Sequence, residues 1–154
     1  MGDLGMAGGK RRGLKVFFIV LACILGVIII GAGIAFAVFE PGRREAAGIV
    51  VEDVDFGRLK DGVYAGEYVG TKDHLRDVKL QATVKGGKLA QVDVTGGAMA
   101  AKEKQEIRGG QTLESLFDRV RQKGSLQVDA ISGATITTKT HLKALENALE
   151  QAEM

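Results

Sequence analysis

From Val16 to Phe39 the chain carries no charged side chain, and no other feature limits its possible folds as much. At about 1.5 Å per residue, a helix over this run is roughly 36 Å long, enough to cross a hydrocarbon core of about 30 Å. The run exceeds the roughly 7 to 15 residues of a signal-peptide apolar region, so it reads as an uncleaved anchor. Val20-Leu21-Ala22-Cys23 is faintly like a lipoprotein cleavage box, but the apolar run continues well past Cys23, a continuation that a cleaved, lipidated protein does not need. Lys10, Arg11, Arg12 and Lys15 stand before the run, which by the positive-inside rule puts the N-terminus in the cytoplasm and the remainder outside. Ala22/Gly26, Gly31/Ala35 and Gly33/Ala37 have the small-xxx-small spacing that lets another helix approach.

The rest of the composition narrows the function. The formal net charge is +2, and the basic tail, opposed only by Asp3, accounts for more than all of it, so the remainder is close to neutral. Duplex binding needs clustered Lys and Arg, and the absence of a basic stripe argues against nucleic acid as a partner. Cys23 is the single cysteine, which excludes an internal disulfide, a CxxCH haem site and a cysteine-ligated iron–sulfur cluster built by this chain alone. If the chain carries electrons, an organic cofactor holds them.

After the apolar run, Glu40-Pro41-Gly42-Arg43-Arg44 is expected to stop the helix, and residues 40–60 form a connecting segment with Val50, Val51, Val54, Phe56 and Leu59 available for packing. Asp61 to Gly70 reads as a first strand with Tyr64, Gly66 and Tyr68 on one face. Val78, Leu80, Ala82 and Val84 alternate with polar residues as a half-buried strand, and Ala90, Val92 and Val94 resume the alternation after Gly86-Gly87. A two-residue loop would set Leu80 against Asp93, so a three-residue loop that pairs Ala82 with Ala90 and Leu80 with Val92 is preferred. His74, before this hairpin, reads as a surface residue. Ala98 to Ile107 is either helical or irregular. Thr112 caps a helix with Leu113, Leu116, Phe117 and Val120 on its face, ending near Gly124, and Leu126 and Val128 are expected to form a last strand. A final helix buries Leu142, Leu145, Leu149 and Ala152, with Ala144 and Ala148 beside them and Lys143, Glu146 and Glu150 turned away. The order β-β-β-α-β-α gives an α+β fold: one N-terminal transmembrane helix, then a small domain with an antiparallel sheet and packed helices. The divisions are residues 1–15, a basic cytoplasmic tail; 16–39, the transmembrane helix; 40–60, the linker; and 61–154, the domain.

Asp129-Ala130-Ile131-Ser132-Gly133-Ala134-Thr135, with Ile136-Thr137-Thr138 behind it, leads directly into that final helix. The first turn of a helix leaves backbone N–H groups unpaired and carries partial positive charge, which suits a phosphate. Gly133 and Ala134 let the backbone come close to such a ligand. Ser, Gly and Thr before a helix are also ordinary turn and capping residues, so the string has to be read whole.

Read whole, D-x-x-[ST]-G-A-T with a small hydroxyl residue soon after resembles the flavinylation motif of the FMN-binding domain family, which includes the FMN-carrying subunits of Rnf and Na⁺-translocating NADH:quinone oxidoreductase complexes. Asp129, Ser132, Gly133 and Ala134 match residue by residue. The resemblance implies that FMN is joined through its phosphate to the hydroxyl of Thr135, with Ile136, Thr137 and Thr138 completing the cofactor-binding stretch. Asp61-Gly62-x-Tyr64-x-Gly66 is similar to the opening of the same domain. No catalytic or metal-ligating residue is implied. A Thr hydroxyl is a weak nucleophile, and His141, six residues on, is poorly placed to activate it. The resemblance therefore implies a separate flavin transferase, using FAD and Mg²⁺, with this chain as its substrate.

The expected function is a membrane-anchored, extracytoplasmic electron carrier whose FMN does the redox chemistry while the protein holds it. Its partners are then the membrane, the transferase and redox proteins: a quinone oxidoreductase, an external reductase, or Rnf-type subunits. The chain lacks the larger insertions of those complex subunits, which favours a free-standing shuttle over a complex subunit. The other readings are noncovalent FMN, with the motif as a phosphate loop, and a structural module without flavin.

Overall fold

The structure is a computed structural model describing residues 8–100 and 104–153, with side chains from residue 13 onward. Of the basic tail expected over residues 1–15, residues 1–7 lie outside the described residues, and residues 8–15 already belong to the first helix. Two compact units are present, Met1–Glu40 and Pro41–Met154. The first is the membrane-length part of helix α1 (Gly8–Ala47). Its apolar side chains are exposed, from Phe17 and Ile19 to Val38 and Phe39, as in a helix long and apolar enough to cross a membrane.

Helix α1 does not stop at Glu40-Pro41-Gly42 but runs through Pro41 to Ala47. A proline removes one intrahelical bond, and tertiary contacts hold the turns that follow it. Ala46 is buried, and the Glu45 carboxylate accepts hydrogen bonds from Thr71 N, Thr71 Oγ1 and Lys72 N at 2.9 to 3.0 Å.

Three antiparallel strands follow in the order β1 (Gly62–Tyr68), β2 (Val78–Lys85) and β3 (Lys88–Gly97). The hairpin between β2 and β3 is tighter than expected, because Lys85 pairs with Lys88 across a two-residue turn whose Gly86 and Gly87 both have positive φ. That is the backbone geometry of a primed hairpin turn. The mixing of faces that argued against it is avoided by an irregularity between Thr83 and Val84, where the register slips by one residue at Ala90. Leu80 then meets Val94, and Ala82 meets Val92, all on the buried face. A single extra residue in one strand is enough to restore the alternation. Asp61 fastens this turn to the start of β1, its carboxylate accepting from Gly86 N and Gly87 N at 2.9 and 2.8 Å. These two bonds lower its pKa.

Helix α2 (Leu113–Lys123) forms as expected: Thr112 and Ser115 exchange side-chain-to-backbone bonds as a capping box, and Gly124 closes the C-terminus in the left-handed region. Leu113, Leu116, Phe117 and Val120 are its buried residues. The expected strand at Leu126–Val128 is absent. Asp53 Oδ1 accepts from Leu126 N, and Gln127 Nε2 donates to Val51 O, so side chains satisfy this stretch in place of a sheet neighbour. The order is β-β-β-α-α after the anchor, still α+β.

Helix α3 (Thr135–Ala152) packs across β1 and β2. Gly66 is where it crosses: a Cβ there would overlap the carbonyl of Ala144 and the backbone of Ala148. Leu142, Ala144, Leu145, Ala148, Leu149 and Ala152 are all buried, as their spacing predicts. Glu146 is buried as well, contrary to its expected outward position. The connecting segment lies over it, Glu52 N donating to Oε2 at 3.2 Å, while Lys143 Nζ donates to Oε1 at 2.6 Å.

Candidate functional site

The loop before α3 is shaped by one apolar anchor and one hydroxyl. Ile131 is fully buried, which pins the middle of the loop to the core. Ala134 N donates to Ile131 O at 2.8 Å, closing a four-residue turn with Gly133 at φ 72. Thr138 Oγ1, one turn into the helix, donates to Ala134 O at 3.0 Å and accepts from Ile131 N at 3.1 Å. The buried Thr138 thus ties both sides of the turn together.

This arrangement leaves the helix start open. Ala134 is the N-cap residue and supplies no side-chain hydrogen bond, and the first turn holds no acidic residue. The N–H groups at the start of α3 are therefore without the usual side-chain acceptor. Thr135, the first helical residue, is exposed, as are Ser132 and Gly133. Asp129 is also exposed, beside Arg119 and Lys123 in a shallow hollow. Arg108 adds a positive charge that sequence reasoning missed: an added Cβ at Gly133 would lie 2.6 Å from Arg108 Nη1. Arg108 is 25 residues from Gly133, in a tight turn bridged to Gln111, and no local pattern connects the two.

Two cavities flank this helix start. One, about 340 Å³, is bordered by Thr135, Lys139 and Leu142 of α3 and by Ile49, Val51 and Val128. Lys139 Nζ there donates to Ala47 O at 2.7 Å. The other, about 240 Å³, is bordered by Ile136, Thr137 and His141 of α3, by Leu75, Arg76 and Val78, and by Ala98 and Met99. His141 is 2% exposed, and burial lowers its pKa to about 4. His141 Nδ1 lies 2.7 Å from Thr137 O, which makes it the protonated nitrogen, and Nε2 has no partner. His74 is an exposed loop residue, bonded through Nδ1 to Asp77 at 3.0 Å. No cluster of metal-ligating side chains occurs among the described residues.

Of the residues marked in the sequence, Thr135, Ser132 and Gly133 meet at the exposed helix start, Thr138 lies buried beneath it, and Ile136 and Thr137 turn to the second cavity. An uncapped helix start beside an arginine, with small residues in the approach loop, suits a phosphate monoester. The class is therefore a small α+β domain whose last helix starts without a side-chain cap. The model of the FMN-binding domain matches residues 74–150, half the chain, and the protein belongs to that family. It is an FMN-binding flavoprotein domain behind a helix of membrane length. The match begins after β1, so Asp61–Gly66 lies outside it. No curated protein and no solved structure matches the chain.

Proposed function

We propose that Thr135 carries FMN through a phosphoester and that the protein is a membrane-anchored electron carrier whose domain works outside the cytoplasm. The observation that carries this reading is the exposed Thr135 hydroxyl on an uncapped helix start, within the residues matched by the family model. Its position at a helix start without a side-chain cap, two residues after the Gly133 that Arg108 lies against, provides for the phosphate charge that remains after esterification. Neither histidine is placed to serve as the base for the attachment: His141 lies six residues along α3 and lines the second cavity, which Thr135 does not border, and His74 is an exposed loop residue bonded to Asp77. A separate transferase supplies that base. In its reaction the Thr135 oxygen attacks the flavin-side phosphorus of FAD, the pyrophosphate bond breaks, AMP leaves, and the hydroxyl proton passes to the transferase's base. An ester keeps the cofactor attached where a freely dissociating flavin would be lost. Electrons then pass between a membrane quinone oxidoreductase and an external reductase or acceptor.

The test is intact mass and in-gel flavin fluorescence of the denatured chain after co-expression with a flavin transferase. Flavin on the peptide containing Thr135, and none on Thr135→Val, is the expected result. Retention of FMN only by the folded chain, in both proteins, would replace the ester with noncovalent binding. Co-purification of a multi-subunit membrane complex would make the chain a subunit in place of a shuttle.

A further inference from the structure

Resting on the reading that Thr135 carries the flavin phosphate, we propose that the cavity beside Ile136 and Thr137 receives the flavin ring system and that His141 Nε2 accepts a hydrogen bond from a ring N–H. Three observations point there. The cavity begins at the two residues that follow Thr135, and His141 lies about 9 Å from Thr135 along the helix axis at 1.5 Å per residue. A ligand anchored at the Thr135 hydroxyl has that distance to cover. The walls combine apolar surface from Leu75, Val78, Met99 and Ile136 with the buried imidazole, the mixture that suits a planar heterocycle with one apolar edge and one polar edge.

The third observation is His141 itself. A buried nitrogen without a partner costs free energy, and native interiors leave few of them. With Nδ1–H donated to Thr137 O, Nε2 presents a lone pair, and burial keeps the ring neutral at ordinary pH. What it lacks is a donor, which an N–H of the flavin ring would supply. The other cavity offers no such vacancy. Thr138 Oγ1 is bonded to Ile131 and Ala134, and Lys139 Nζ to Ala47. His141 thus acts as a binding residue for the ring, while Thr135 holds the phosphate end.

The experiment uses the full chain in detergent, co-expressed with a transferase, as wild type, His141→Leu, His141→Gln and Met99→Ala. Mass first establishes covalent flavin, and iodide quenching of flavin fluorescence and the midpoint potential are then measured. His141→Leu is expected to keep the flavin on Thr135 while its quenching constant rises at least two-fold and its potential shifts. His141→Gln, whose amide oxygen can accept the same bond, stays near wild type. Met99→Ala, elsewhere on the same wall, also raises quenching and serves if His141→Leu does not fold. Unchanged quenching and potential in His141→Leu overturn the proposal. So does a change produced instead by Val51→Glu in the other cavity. If the wild type carries no covalent flavin, the attachment reading fails, and riboflavin titrated into the unmodified chain decides the cavity separately. Binding weakened at least ten-fold by His141→Leu upholds it, and equal binding overturns it.

Discussion

The two ends of helix α3 are built on opposite principles. From Ala144 to Ala152 nearly every side chain facing the sheet is apolar and fully buried, and Gly66 of β1 gives way so that the helix backbone can approach closely. At Thr135, itself exposed, the same helix starts without a side-chain cap, and an arginine lies against Gly133 just before it. The first end holds the domain together, and the second leaves hydrogen-bonding capacity unused. The difference teaches that stability at one end lets the other end remain unsatisfied until a ligand arrives.

The comparison breaks most severely at the crossing point. Gly66→Val places a branched side chain where even a Cβ overlaps the Ala144 carbonyl, so a loss of about 3 kcal/mol or outright failure to fold is expected. Chemical denaturation followed by circular dichroism measures it. A variant as stable as wild type would mean that α3 does not lie this close to β1.

His141 stands at the boundary between the two ends, and pH tests it. Its pKa falls from an ordinary value of about 6.5 to about 4 on burial. The unfolded chain therefore binds more protons between those values, and stability from neutral His141 is fully present above about pH 6.5. It is lost as pH falls toward 4, by about 3 kcal/mol in total. Arg76 and Asp77 border the same cavity, so the comparison has to be made against His141→Leu. Thermal melts from pH 7 to 4 should fall more steeply for wild type, and parallel curves would refute the burial effect.

Thr138→Val sharpens the view of the functional end. It removes the hydroxyl that joins Ile131 N to Ala134 O and leaves a buried N–H unpaired, costing about 2 kcal/mol. Flavin attachment at Thr135 should slow more than the fall in folded fraction explains, as measured by mass spectrometry over time. A variant equally stable and equally modified would show that the turn is not held this way. The smallest effect expected is at Thr112→Ala, which removes the cap of α2, whose hydrogen bonds stay within α2. A loss of about 1 kcal/mol with unchanged flavin attachment is expected from denaturant melts and mass. Altered attachment would mean that the two helices are coupled.

Much of this was legible in the chain. The uncharged run from Val16, the capping signal at Thr112 and the apolar spacing of Leu142, Leu145 and Leu149 are local patterns, and each became the expected helix. The motif from Asp129 to Thr135 likewise located the exposed helix start within the family match. The misreadings share one cause. Pro41 did not end its helix because Glu45 and Ala46 found tertiary partners. The two-residue hairpin was saved by a register slip at Ala90, and Leu126–Val128 did not join the sheet because Asp53 and Gln127 supplied other bonds.

By itself, then, the sequence determined the membrane-length helix, the three strands and the two helices of the domain, and the position of Thr135, because periodicity, caps and turns depend on residues a few places apart. The tertiary structure alone decided that Arg108 lies against Gly133, that Glu146 is buried under the connecting segment, and that His141 turns a bare nitrogen into the interior beside Met99. Those contacts join residues far apart in the chain, and only packing of the whole domain brings them together.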